Sequence, residues 1–208
     1  MTKYFFYLSL IILKVHTNTI EAIVIGGSAG SIKVVKQILS DLNFVPTIPI
    51  IIGLHRLQTD VSSGLRDVIQ YSSPLPIIEP KNGEKIKAGV IYLAPVNVHL
   101  LVNENKEFEL SSSPLVHYSR PSIDILFLSV ADVYKQKCMG ILLTGANKDG
   151  AYGMKVIKDN GGLTVVQEPL DCVIATMPNA AMQLTSIDHV LYSNEIGGFL
   201  TKNKSMLR

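Results

Sequence analysis

The chain has 208 residues, 47% hydrophobic and 17% charged, with 19 Lys and Arg against 17 Asp and Glu for a net charge of +2. That supplies apolar material for one sizeable core and excludes a disordered or fibrous chain. The basic residues are scattered, so nucleic-acid binding has no electrostatic footprint, and Cys138 and Cys172 have neither metal spacing nor a disulfide framework.

Residues 4–13 (YFFYLSLIIL) form an apolar run behind Lys3. A bilayer span takes about 20 residues, so no membrane insertion is expected. Residues 1–20 are read as a hydrophobic N-terminal extension on a cytoplasmic protein, with a secretory signal or a misplaced start as the competing readings. From residue 21 the chain alternates short apolar runs with helical periodicity. AIVIG (22–26) reads as a buried parallel strand, GSAGS as a turn, and Ile32, Val35, Ile38, Leu39 and Leu42 as the inner face of a helix. Lys33, Lys36, Gln37 and Asp41 fall on its other face. PIIIGLH (49–55) is a second strand, and residues 62–70 read as a helix with Leu65 and Ile69 on one side.

The next stretch reads as more antiparallel. Short runs at 77–78 and 90–93 precede HLLV and EFEL, which flank the polar tip NENK of a hairpin. Residues 122–134 (SIDILFLSVADVY) have helical spacing, with Ile123, Leu126, Phe127 and Val130 inward. Strand runs follow at 139–144 (MGILLT), 163–167 (LTVVQ) and 189–192 (HVLY). Between them lie helices beginning at DGAYGMKVIKD and at MPNAAMQL, where Pro178 sits in the first turn and is tolerated. A last helix precedes a basic tail at 201–208. Repeated βα units give an α/β class: an open, mostly parallel sheet with helices on both faces, plus one antiparallel hairpin. In such sheets the site lies beyond the carboxyl ends of the strands.

Three strand ends carry chemistry. Gly26-Gly27-Ser28-Ala29-Gly30 allows a tight strand-to-helix turn that lifts the Ser28 hydroxyl over the sheet, with free backbone N–H groups of the helix start aimed at the same spot. The plainer use of this turn is capping, by Ser28 or Ser31. His55 ends the second strand and is either a satisfied core histidine or a general base. Asp149, after the 139–144 strand, either caps the next helix or orients an imidazole. Ser, His and Asp at three strand ends favour catalysis over three separate accidents. His189 lies at a strand start on the wrong edge, His99 is read as structural with lining of the cleft as the alternative, and His117 is the remaining histidine of the domain. A dinucleotide fingerprint counted from Gly26 needs glycines at 28 and 31, and both are serine. No clustered ligand set is present, so neither a metal nor an organic cofactor is expected.

Taken together, IGGSAG (25–30), Leu54-His55, YLAP (92–95), His99-Leu100, RPSID (120–124), LTG (143–145), DGA (149–151) and Met177-Pro178 resemble the catalytic domain of the chemotaxis protein-glutamate methylesterases over roughly residues 21–200. The resemblance implies a three-layer α/β/α domain and a serine hydrolase in which Ser28 is the nucleophile, His55 the general base and Asp149 its orienting acid. It implies oxyanion donors at Ala29 and at the Gly145-Ala146 turn. The implied substrate is the γ-methyl ester of glutamate on the cytoplasmic helices of methylated transmembrane chemoreceptors, with glutamine deamidation in some members.

The chain departs from the family pattern in Ser31, where a second glycine is frequent, and in Ala146-Asn147, where Met-Gly is common. About twenty residues precede the first strand, so an N-terminal receiver domain does not fit there and control by aspartyl phosphate in cis is not expected. A catalytically idle domain that binds a receptor or partner, and an esterase for another small ester, are the alternative readings. Arg56, Arg120 and Lys148 are either solvated surface charges or a basic rim for an acidic helix.

Overall fold

Long β-branched and aliphatic runs make strands that no water reaches. In the computed structural model, which describes residues 19–56 and 64–207, strands β1 (Ala22–Gly27), β2 (Ile50–Leu54), β7 (Cys138–Leu142) and β8 (Leu163–Gln167) are buried at every position. With β3 (Ile77–Ile78), β4 (Ile91–Leu93) and β9 (His189–Leu191) they form one seven-stranded sheet in the order β3-β4-β2-β1-β7-β8-β9. Every neighbouring pair is parallel. Helices cover both faces, as parallel sheets require.

Alternation along β1 sorts the two cores. Ile23 and Ile25 pack under α1 (Ser31–Ser40), α2 (Gly64–Gln70) and α6 (Ser193–Lys202). Ala22 and Val24 pack under α3 (Ile123–Tyr134), α4 (Ala151–Asp159) and α5 (Thr176–Leu184). The layers are therefore α/β/α. Strands β5 (His99–Val102) and β6 (Phe108–Ser111) form a separate antiparallel pair in the second layer, with Leu100, Val102 and Phe108 in its core. The turn at 103–106 is fixed by the Asn103 side chain, which accepts the N–H groups of Asn105 and Glu107.

Three expectations change. The short runs at 77–78 and around 91 are parallel members of the main sheet, with Ile50 opposite Ile91 and Ile77 opposite Ile91. Two or three apolar residues carry no signal of direction. Ile32 is 41% exposed, because buried Ser31 opens α1 and Val34 takes the inward position. The end of the chain is built into the domain: Leu207 is buried and bridges Ile20, whose N–H donates to the Met206 carbonyl at 2.7 Å. The apolar run at residues 4–13 and the first two residues of the helix expected over 62–70 lie outside the described residues. Among the described residues no helix is long and apolar enough to cross a membrane.

Helices α3 and α4 meet at Gly153, where an added Cβ would overlap the Cβ of Phe127. On α6, a Cβ at Gly198 would meet nothing. Helix propensity favours alanine over glycine by about 1 kcal/mol, whereas overpacking costs about 1–3 kcal/mol. The two substitutions therefore have opposite signs: Gly153→Ala lowers the unfolding free energy in denaturant titrations, and Gly198→Ala raises it.

Candidate active site

Strand register brings the site together. The β1–β2 pairing runs to Gly27 opposite Leu54, and the His55 N–H donates to the Gly27 carbonyl at 3.1 Å. Ser28 and His55 thus leave the sheet on adjacent strands, about 4.8 Å apart. On the other side of β1 the Ser28 N–H donates to the Thr144 carbonyl at 2.9 Å. The chain runs from β1 to β2 on one side and returns in β7 on the other, so this is the switch point where open α/β sheets form a crevice.

The turn at Ser28 needs its glycines. Gly30 has φ 85°, and a Cβ there would lie 2.5 Å from Val173. A Cβ on Gly27 would lie 2.5 Å from that of Ser31. Ser31 closes the turn by donating its hydroxyl to the Ser28 carbonyl at 2.6 Å. The cap of α1 is Gly30 and takes no side-chain hydrogen bond, so the Ser28 hydroxyl does not cap the helix. Thr144, fully buried, holds the turn from below through a 3.0 Å bond from its hydroxyl to the Ala29 carbonyl.

Asp149 is the most constrained group in the site. Its carboxylate is wholly buried and receives four hydrogen bonds: His55 Nε2 at 2.8 Å, the N–H groups of Ile123 at 2.7 Å and Asp124 at 2.9 Å, and the Ser122 hydroxyl at 2.9 Å. Burial alone would push the carboxyl up. The bond from His55 and the backbone N–H groups of Asp124 and Ile123 outweigh it and hold Asp149 below the ordinary aspartate value. Asp149 does serve a helix, but at the N-terminus of α3; the next helix, α4, is capped by Gly150 without a side chain. Since the charged carboxylate only accepts, His55 Nε2 carries the proton and Nδ1 presents its lone pair. The Ser119 hydroxyl lies 3.3 Å from that nitrogen. Among the described residues the Ser28 hydroxyl makes no hydrogen bond, and Ser28 and His55 line the same crevice.

A second buried carboxylate, Asp124, behaves differently. Burial raises it, against a lowering bond from the Gly153 N–H, and the nearby charge of Asp149 raises it further. His117 Nε2 lies 3.4 Å from Asp124. Ligand-type atoms of His117, Asp124 and Asp149 fall within 4.8 Å of one another. Both carboxylates already take protein N–H donors, which makes this a hydrogen-bonded network and a poor ion cage. His99 is structural: fully buried, it accepts the Ser122 N–H at Nδ1 and donates from Nε2 to the Pro114 carbonyl. His189 lies on the edge strand β9 against Phe199, away from the crevice.

The crevice has a volume of about 760 Å³ and is lined by Ser28, Ala29, His55, Ser119, Arg120 and Asn147, among others. The N–H groups of Ala29 and Ala146 have no acceptor among the described residues. Arg56 is neither solvated nor a free rim charge, since its side chain is 2% exposed and pairs with Glu79 at 2.6 Å. Arg120 is tied to Asn97 and to the carbonyls of Ser112 and Ser113. Lys148 is exposed and lines an adjoining groove of about 490 Å³ with Asn179 and Gln183. Asn147 binds the Asp149 N–H through Oδ1 and the His117 carbonyl through Nδ2, so the Ala146-Asn147 turn is anchored to the rest of the site. Sequence reasoning missed Ser119 and the contact of Ser122 with Asp149. Only the position of Ser122 before an apolar helix signalled its capping role.

A family model described as CheB methylesterase matches residues 23–200. The chain belongs to this family. A Leptospira interrogans protein, named provisionally as a protein-glutamate methylesterase/protein-glutamine glutaminase, is 46% identical over 176 residues, covering 85% of this chain and 91% of that one. A Clostridium acetobutylicum protein of the same name is 30% identical over 91% of this chain, and a Syntrophus aciditrophicus one 36% identical over 89%. The chain spans about half the length of these two, 54% and 53%. The crystal structure of the Thermotoga maritima CheB methylesterase catalytic domain superposes with a TM-score of 0.83 at 28% identity, covering 89% of this chain and 99% of that one.

A carboxylate whose folded pKa is depressed contributes stability that is present above its unfolded value and is lost as pH falls through the folded one. An asparagine at 149 would turn its NH₂ toward N–H donors, leaving charge-assisted bonds unmade. Asp149→Asn is expected to destabilise the fold by about 1–3 kcal/mol at neutral pH. In denaturant titrations across pH, the gap to the natural chain should close below about pH 4.

Proposed function

We propose that this CheB-family hydrolase cleaves γ-methyl esters of glutamate on the cytoplasmic helices of chemoreceptors, and deamidates glutamine at the same centre, with Ser28 as nucleophile. The names of its relatives support the substrate class. The observation that carries the mechanism is His55, held by a buried, charged Asp149 through Nε2 and facing the crevice with Nδ1, one strand spacing from Ser28. This uses the imidazole in the opposite sense to trypsin-like proteases, where the aspartate takes Nδ1.

Ser28 Oγ attacks the ester carbonyl as its proton passes to His55 Nδ1, and a C–O bond forms. The resulting oxyanion lies against the unengaged N–H groups of Ala29 and Ala146. Collapse breaks the bond to the methoxy oxygen, which takes the proton from His55 and leaves as methanol. Water then repeats the sequence: His55 accepts its proton, the hydroxide adds to the glutamyl-serine ester, and Ser28 leaves with the proton. With glutamine the first leaving group is ammonia. Asp149 stays ionised throughout and stabilises the imidazolium between the two transfers. A substrate on cytoplasmic helices places the enzyme in the cytoplasm, with the receptor as its partner.

Methanol release from a methyl-esterified receptor fragment tests the reading. Ser28→Ala is expected to lower the rate by at least about 10³-fold, while unfolding free energy stays within about 0.5 kcal/mol because the hydroxyl caps nothing and fills no core. A comparable rate in the variant would remove Ser28 from the mechanism.

A further inference from the structure

We infer that Ser119 is a positioning residue for His55, fixing the imidazole through Nδ1 before and after it takes the proton of Ser28. This rests on the roles given above to Ser28 and His55. An imidazole held at one nitrogen only is free to turn about its broad χ2 well. Asp149 holds Nε2, and the Ser119 hydroxyl at 3.3 Å is the one described partner of Nδ1. The same hydroxyl lies 3.3 Å from the His117 carbonyl. It therefore has a partner in both states of the base. At rest Ser119 donates to the single lone pair of Nδ1; as the Ser28 hydroxyl takes over that lone pair, the Ser119 hydroxyl rotates to the His117 carbonyl, and it then offers a lone pair to the new N–H. The second bond is charge-assisted and the stronger of the two.

The local backbone is arranged around this contact. Val116 and Ser119 exchange N–H···O bonds of 3.2 and 2.9 Å across a two-residue turn. Its central residues, His117 at φ 48° and Tyr118 at φ 61°, are both left-handed. Such turns normally use Asn-Gly, since residues with a Cβ adopt them at a cost. Here side chains fix the turn from outside: Asn147 Nδ2 reaches the His117 carbonyl at 3.3 Å and Ser119 Oγ at 3.5 Å, and Asp124 lies 3.4 Å from His117 Nε2. His99 pins the preceding loop through Pro114. The product of this scaffolding is a hydroxyl aimed at the base.

Two readouts test it, in the natural chain and in Ser119→Ala and Ser119→Thr. The first is labelling by a fluorophosphonate, in which an Oγ–P bond forms on Ser28, fluoride leaves and His55 accepts the proton. The second is kcat and KM for methanol release. Ser119→Ala is expected to slow labelling and lower kcat by about tenfold, with KM within about twofold; Ser119→Thr, which keeps the hydroxyl, should return both. Unchanged rates in Ser119→Ala, a loss confined to KM, or an equal loss in Ser119→Thr would overturn the proposal. A natural chain that is labelled yet releases no methanol would reject the receptor substrate alone, and the labelling rates would still decide the role of Ser119. A natural chain that is not labelled would overturn both readings.

Discussion

A charge sealed from water must be answered by donors on every side, and in this domain that charge is the Asp149 carboxylate. Its four donors come from two places: His55 at the end of β2, and Ser122, Ile123 and Asp124 at the start of α3. The bonds tie the β7 end to an adjacent layer and to a strand two places along the sheet. They also require the residues before α3 to arrive in one conformation, which is where His99 and the 112–121 loop come in. Site and fold are coupled through this group. A neutral residue there would loosen α3 and His55 together.

The neighbouring Asp124 shows how environment divides two similar side chains. Both are buried at the same helix start. One gathers donors and remains charged; the other is raised by burial and by its neighbour's charge. Burial and the charge of Asp149 oppose ionisation of Asp124, while the Gly153 N–H and His117 favour it. The positive end of the α3 dipole favours the negative charge of Asp149.

Much of this was legible in the residues. Strands buried on both faces read as uninterrupted apolar runs, which made β1, β2, β7 and β8 plain and put Ser28, His55 and Asp149 at their ends. Direction was not legible for β3 and β4, because Ile77–Ile78 and Ile91–Leu93 are too short to show alternation. The helix served by Asp149 was not legible either, since its partners lie 25 to 27 residues back in the chain and sequence proximity pointed to α4. Ser119 escaped for a related reason. The turn that aims it is built from Val-His-Tyr-Ser, with none of the glycine or asparagine that marks such turns, and neighbours distant in sequence hold it in shape.

The bridge between Ile20 and Leu207 has a geometric outcome of its own. It sets the two ends of the described domain side by side, at the amino end of β1, while Ser28 follows the carboxyl end of that strand. Six residues separate these poles, about 20 Å of extended chain. Anything joined to either end begins on the far side from the crevice. A short fusion at both ends leaves the mouth open, and only a tether longer than the strand can bring an attached module round to the crevice.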